Sequence, residues 1–233
     1  MEDFGNLRFD KILNGEELYN LLKLAVDNLI IIQNSLLHSD LNKLKKYSYL
    51  DLKKEISEFI NYYIPFKNIL NFPVENFYTT WKLIYDRQNF NFENFVHKDY
   101  EFINLLFLKE NKSHLKCGII DFQSAFLGFI GWDLFSILEN PRINFTRKYN
   151  EEIMLYYYKN ISTKLKYDDF REHYYLLNLA RQTRLLGRWV KIFQETNNKE
   201  YLNYIKTTNY RLTLCLDNIQ NDKLKSIYKI VVN

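Results

Sequence analysis

His97, Asp99 and Asn104 sit together in V-H-K-D-Y-E-F-I-N-L-L-F-L, residues 96–108, between two apolar runs. Asp121 follows further on, in I-I-D-F-Q, residues 119–123. Two carboxylates and an amide oxygen suit phosphoryl transfer. One Asp takes the proton of an attacking hydroxyl, while an Asn and a second Asp hold Mg²⁺ against nucleotide phosphates. Oxygen ligands match Mg²⁺, which binds protein through one or two carboxylates plus phosphate oxygens. H-x-D-x(4)-N alone is a weak motif in an Asn-rich chain. Asp121 at the right distance, and Gly128-x-x-Gly131-Trp132-Asp133-Leu134 after it, give it weight.

A frame must bring these residues together. Asn104 to Leu108 is short and apolar, Lys109 to His114 is a polar turn, and Leu115 to Ile120 is apolar again. That pattern predicts a β-hairpin. Its paired ends would carry Asp99 and Asn104 on one side and Asp121 on the other, at one mouth. Around it the pattern is helical. Asn14-Gly15-Glu16-Glu17 reads as a capping box. Behind it Leu18, Leu21, Leu22, Ala25, Leu29 and Ile32 recur at helical spacing to about Leu37. A second helix carries Leu52, Ile56, Phe59, Ile60 and Tyr63 and is stopped by Pro65. A third covers roughly 75–86. After the hairpin the chain reads as helical to its end, over Tyr149–Ser162, Asp168 to about Glu195, and Tyr201–Ile219. The fold class expected is mainly α with a small β-hairpin.

Composition narrows the function classes. The 233 residues are 47% hydrophobic and 26% charged, as in ordinary globular proteins. No apolar run is long enough for a membrane span, and no basic region with an apolar core opens the chain. A cytoplasmic location is the expectation. The net charge of +4 comes from scattered lysines. Lys43, Lys45, Lys46, Lys53 and Lys54 read as a solvated helix face, since acidic residues interleave and no nucleic-acid motif accompanies them. Cys117 and Cys215 have no metal or disulfide spacing and read as buried thiols. Tyr and Phe are abundant, at 19 and 18, which compositional bias toward Asn, Lys, Ile, Tyr and Phe explains better than a base-stacking surface. Only six glycines occur, with neither G-x-G-x-x-G nor G-x-x-x-x-G-K-[ST].

The set His97-Lys98-Asp99-Tyr100-x-x-x-Asn104-Leu105-Leu106, Gly118-Ile119-Ile120-Asp121-Phe122-Gln123-Ser124-Ala125 and Trp132-Asp133-Leu134-x-Ser136-Ile137-Leu138 resembles the aminoglycoside phosphotransferase and choline kinase-like family. Within it, the chain is most similar to the sugar kinases that phosphorylate N-acetylmuramate and N-acetylglucosamine. Those carry H-R-D-Y, I-D-F-Q-D-A and Y-D-L-x-S-L-L. The run Leu179-Ala180-Arg181-Gln182 to Arg184-Leu185-Leu186-Gly187-Arg188-Trp189 resembles their C-terminal helix. The resemblance implies Asp99 as catalytic base, His97 as the residue orienting its loop, and Asn104 and Asp121 as Mg²⁺ ligands. It implies Asp133 as a brace, with Gln123 beside it as structural support, and ATP as phosphoryl donor. Lys98 departs from the family's Arg, and Ser124 from its Asp. Arg142, Arg181, Arg184 and Arg188 read equally as contacts for phosphate or an acidic sugar and as ion-pair partners.

Met1-Glu2-Asp3-Phe4-Gly5 is similar to the family's hinge between lobes, L-x-D-[FL]-G, whose backbone meets adenine. This makes Glu2, Asp3 and Phe4 the nucleotide-binding candidates. By resemblance, residues 1–233 form one C-terminal kinase lobe: a hinge at 1–5, a catalytic and metal-binding hairpin at 96–123 and C-terminal helices at 149–233. The N-terminal β lobe, with its phosphate-covering loop and clamping lysine, would be missing. The expected function is ATP- and Mg²⁺-dependent phosphorylation of a small-molecule hydroxyl, an amino sugar first, with choline-like amines and aminoglycosides as alternatives. The second reading is a catalytically impaired binding or interaction module. Expected partners are the small molecule, and a separate N-lobe chain or a second copy at the exposed hinge face, with neither nucleic acid nor membrane.

Overall fold

The computed structural model describes residues 5–12, 17–36, 41–108, 117–143 and 147–232. Its elements are α1 (Phe9–Ile12), α2 (Glu17–Ser35), α3 (Tyr49–Glu58), α4 (Val74–Arg87), β1 (Asn94–Val96), β2 (Leu105–Phe107), β3 (Cys117–Ile119), β4 (Phe126–Gly128), α5 (Trp132–Leu138), α6 (Arg147–Asn160), α7 (Tyr167–Thr196), α8 (Glu200–Asn218) and α9 (Asp222–Val232). Glu2, Asp3 and Phe4 of the expected hinge, Asn14 to Glu16 of the expected capping box and the turn Lys109–His114 lie outside the described residues. Contacts divide the chain into two compact units, one of residues 1–46 with 91–167, the other of 47–90 with 168–233.

The first unit contains two antiparallel ladders and helices α1, α2, α5 and α6. In the expected hairpin, Leu105 pairs with Ile119, Leu106 with Gly118 and Phe107 with Cys117. The second ladder pairs β1 with β4, Val96 opposite Phe126 and Asn94 opposite Gly128. That corrects the single-hairpin expectation, and with it the expectation of unbroken helix after the hairpin. Each ladder recruits a further backbone: Phe107 N–H donates to Leu7 O (2.8 Å) and Leu127 N–H to Lys45 O (2.9 Å). Lys43 is therefore exposed on a turn, and Lys45 and Lys46 where their backbone meets Leu127 of β4, rather than on a helix face. α2 keeps one apolar face, burying Leu21, Leu22, Ala25, Val26 and Leu29. Tyr100 ties the hairpin approach to α2 by donating its hydroxyl to Ala25 O (2.8 Å). Tyr157 of α6 does the same to Ile130 O (2.7 Å). Each ring buries its apolar body and keeps a bond for its polar tip, so neither burial leaves an unsatisfied group.

The second unit is α-helical. α3 begins with a capping box whose N3 residue is Asp rather than Glu. Ser48 Oγ accepts from Asp51 N–H (3.3 Å), and Asp51 Oδ2 accepts from Ser48 N–H (3.0 Å). The helix runs on through a π-helical turn, Phe59–Tyr63, and a last turn, Ile64–Phe66. Pro65 thus sits inside the final turn, and the chain leaves it through Asn68 at φ +51°. α7 is 30 residues long, and from His173 to Val190 it is buried nearly all round. Its Gly187 permits this depth, because a Cβ there would lie 2.2 Å from the Glu58 carbonyl carbon and oxygen. Phe59, Phe77 and Tyr228 pack beside it with centroids about 6 Å apart. Both cysteines are buried free thiols, as expected. No described helix is long and apolar enough to cross a membrane.

Gly187→Ala decides between two opposing effects. Alanine favours helix by about 1 kcal/mol over glycine, whereas forcing a methyl against backbone that cannot swing aside costs about 1–3 kcal/mol or more. The clash is with backbone atoms, so we expect Gly187→Ala to lower the urea midpoint. An equal or higher midpoint would show that α7 and the π turn approach less closely.

Candidate active site

The site is built where β1 ends. Past Val96 the ladder stops, and the next two N–H groups need new acceptors. Asp133 supplies both: Oδ2 accepts from His97 N–H (2.7 Å) and Oδ1 from Lys98 N–H (3.0 Å). Asp133 is fully buried in the first turn of α5. One turn along, the Ser136 hydroxyl lies 3.1 Å from Trp132 O and 3.5 Å from Lys98 O. The chain passes Lys98 at φ +80° and reaches Asp99, which is half-buried.

The Asp99 carbonyl accepts two bonds, from Glu101 N–H (2.9 Å) and from Asn104 Nδ2 (2.8 Å). Asn104 N–H in turn donates to Glu101 O (2.8 Å), which tightens the chain into a 3₁₀ turn over Phe102–Asn104. With Nδ2 engaged, the Asn104 amide is oriented and Oδ1 is its acceptor end. Ile120 N–H donates to Asn104 O (3.1 Å), one step beyond the β2–β3 ladder. Asp121 follows, exposed, at φ +67° and ψ +43°. Asp99, Asn104 and Asp121 are thereby linked through consecutive backbone bonds at the end of one ladder.

His97 joins the two sides. Its ring Nε2 lies 3.0 Å from Ile120 O, so Nε2 carries the hydrogen and donates; Nδ1 is buried without a hydrogen bond. Burial pulls its pKa below the ordinary 6.5, outweighing the Ile120 carbonyl and the charges of Asp99 and Asp121, which act upward. The neutral ring packs edge-on against Tyr100, centroids 5.9 Å apart. Gln123 lies in the exposed 3₁₀ turn Phe122–Ser124. Its side chain makes no hydrogen bond to another described residue. Arg142, read as either an anion contact or an ion-pair partner, bonds through Nη1 to Glu101 Oε2 at 2.6 Å. Nothing in the sequence marked Glu101, since its partner is 41 positions away.

The donors fit Mg²⁺. One carboxylate and one amide oxygen are hard ligands, too few for a closed cage and right for an ion that keeps water and phosphate oxygens. No group of three or more His, Cys, Asp or Glu that could hold a metal ion occurs among the described residues. The second unit has a polar cavity of 420 Å³ lined by Asp168, Asp169, Glu172 and Asn221 among others. It includes none of the residues singled out by motif.

The lowered pKa of His97 sets a pH dependence. Folding strips a proton from an imidazole that the unfolded chain would hold, so its contribution is intact above pH 6.5 and is lost as pH falls below. His173, also lowered by burial, adds in the same direction. Urea midpoints should fall from pH 7 to pH 5, and His97→Gln should flatten part of that fall. An identical slope in the variant would mean that His97 titrates normally.

Residues 30–169, more than half of the chain and including all of this site, match the family model described as ecdysteroid kinase-like. An N-acetylmuramate/N-acetylglucosamine kinase of Caulobacter vibrioides is 27% identical over 121 residues, covering 52% of this chain and 33% of that protein. The match thus spans about a third of that relative's length. The helical architecture with small antiparallel ladders is compatible with a kinase-like fold. The chain belongs to the ecdysteroid kinase-like family.

Proposed function

We propose that this chain carries the base and metal-binding residues of an ATP-dependent small-molecule kinase whose acceptor is the hydroxyl of an amino sugar. The observation that carries the reading is the bonded chain from Asp99 O through Asn104 to Ile120, which ties a candidate base to two candidate metal ligands. Asp99 accepts the proton of the acceptor hydroxyl as that oxygen attacks. Asn104 Oδ1 and the Asp121 carboxylate hold Mg²⁺, which when bound neutralises charge on the phosphates. His97, neutral at its Nδ1 and donating from Nε2, keeps the base loop against the end of β3. Asp133 holds the same loop from α5 and touches no reacting atom. Glu2, Asp3 and Phe4 are the backbone positions we assign to the adenine, and Gln123 the residue we assign to supporting the ligand turn. The amino-sugar acceptor is supported by the relative of that activity and by the Y-D-L-like motif around Asp133.

One observation favours the second reading, an interaction module of reduced activity. Ile103, Ile120 and Phe122 are 44%, 39% and 68% exposed, an apolar rim beside Asn104 and Asp121. A partner covering this rim would bury apolar surface that is otherwise left in water.

Mg²⁺·ATP titrated calorimetrically into the folded chain tests the first reading. We expect magnesium-dependent binding that Asp121→Asn abolishes and Asp99→Asn leaves in place. Asp99→Asn should instead slow phosphorylation of N-acetylglucosamine by about 10²–10⁴-fold. No binding at millimolar nucleotide would reject the kinase reading for the chain on its own and leave the interaction module.

A further inference from the structure

We propose that the Arg142–Glu101 ion pair is a positioning device for this site, fixing the spacing between the base Asp99 and the ligand Asn104. The inference rests on the kinase reading above. Glu101 is the middle of the turn that connects the two. Its N–H holds the Asp99 carbonyl at 2.9 Å and its C=O holds Asn104 N–H at 2.8 Å. A rotation of the Glu101 backbone therefore shifts base and ligand relative to each other. The side chain opposes that rotation: it is only 12% exposed, and its Oε2 is met by Arg142 Nη1 at 2.6 Å. Arg142 reaches it from the surface, its own side chain 39% exposed, and a carboxylate on so covered a side chain is costly to strand without that partner. The turn that carries Arg142 is held by its backbone N–H, which donates to Asn140 Oδ1 at 3.0 Å.

α5 and the turn that follows it thus grip the loop at three successive places. Asp133 takes the N–H groups of His97 and Lys98, the Ser136 hydroxyl approaches Lys98 O, and Arg142 takes the carboxylate of Glu101. The first two orient the chain entering Asp99. The third orients the chain leaving it toward Asn104. A base and a metal ligand on one short loop work only when their separation is held to a fraction of an ångström.

The test is calorimetric binding of ATP to the full chain, with and without Mg²⁺, for the wild type, Asp121→Asn, Arg142→Gln, Glu101→Gln and the double Glu101→Gln/Arg142→Gln, with a urea midpoint for each. We expect each single variant to weaken the magnesium-dependent affinity about tenfold, as for residues that orient ligands from behind. Magnesium-free ATP affinity should not change. The double variant should lose no more than either single, because the pair acts as a unit. A purely structural pair would shift the midpoint and leave the magnesium dependence alone. Wild-type magnesium dependence in the folded variants, with Asp121→Asn still abolishing binding, overturns this proposal and leaves the kinase reading standing. Absence of magnesium-dependent binding in the wild type overturns both. Should the single variants fail to fold, the double variant, in which two amides of similar size replace the charges, decides alone: wild-type affinity in it overturns the proposal.

Discussion

The site depends on one buried carboxylate. Asp133 has no solvent to neutralise it and lies in the first turn of α5. A charge in that position is tolerable only if it is fully hydrogen-bonded. It finds two donors on consecutive residues, the N–H groups released where the β1 ladder ends. Each partner solves the other's problem: the loop satisfies the charge, and the charge satisfies the loop. Bonds of this kind are shorter and stronger than those between neutral groups. The position of His97, the turn at Lys98 and the entry angle of Asp99 all follow from this contact.

The two ladders have separate tasks. β1–β4 brings the chain up to Asp133, and β2–β3 returns it, so that Ile120 comes beside Asn104 and within reach of the His97 ring. Three residues per strand would be marginal alone. They persist here because Leu7 and Lys45 lend backbone carbonyls to Phe107 and Leu127, and because Val96 and Leu105 are completely buried. The strands thus act as guides for a loop, while helices provide most of the core.

Legibility in the sequence followed locality. The long helices and the hairpin show their period over enough residues to be read. Asn94-Phe95-Val96 and Phe126-Leu127-Gly128 do not, since three residues carry no period and the partner lies about thirty positions away. Ser48-x-x-Asp51 escaped because Asp replaces the longer acid of the usual box. The π turn before Pro65 has no local signature; it answers the close passage of α7 at Gly187. In the candidate site, residue types and spacing pointed to Asp99, Asn104 and Asp121. The bonds that orient them reach through backbone carbonyls of Asp99 and Ile120, and every residue has a carbonyl. Glu101 stayed unmarked, and Arg142 stayed open between two readings, for the same reason that β1 and β4 were missed: the relation between them exists only after folding.

Among described residues with a left-handed backbone, Asn68, Asn71, Asn91 and Asn197 need no special account, since Asn enters that region readily. Lys98 does not, and Asp121 enters it less freely than Gly would. Both flank the candidate chemistry, and the surrounding bonds hold them there against their own preference. The two differ in their evolutionary freedom. A glycine at Lys98 would relieve the backbone while keeping the N–H that Asp133 accepts. A glycine at Asp121 would relieve it equally and remove the carboxylate. Drift toward a more relaxed loop is thus open at the first position and closed at the second for as long as the carboxylate is in use.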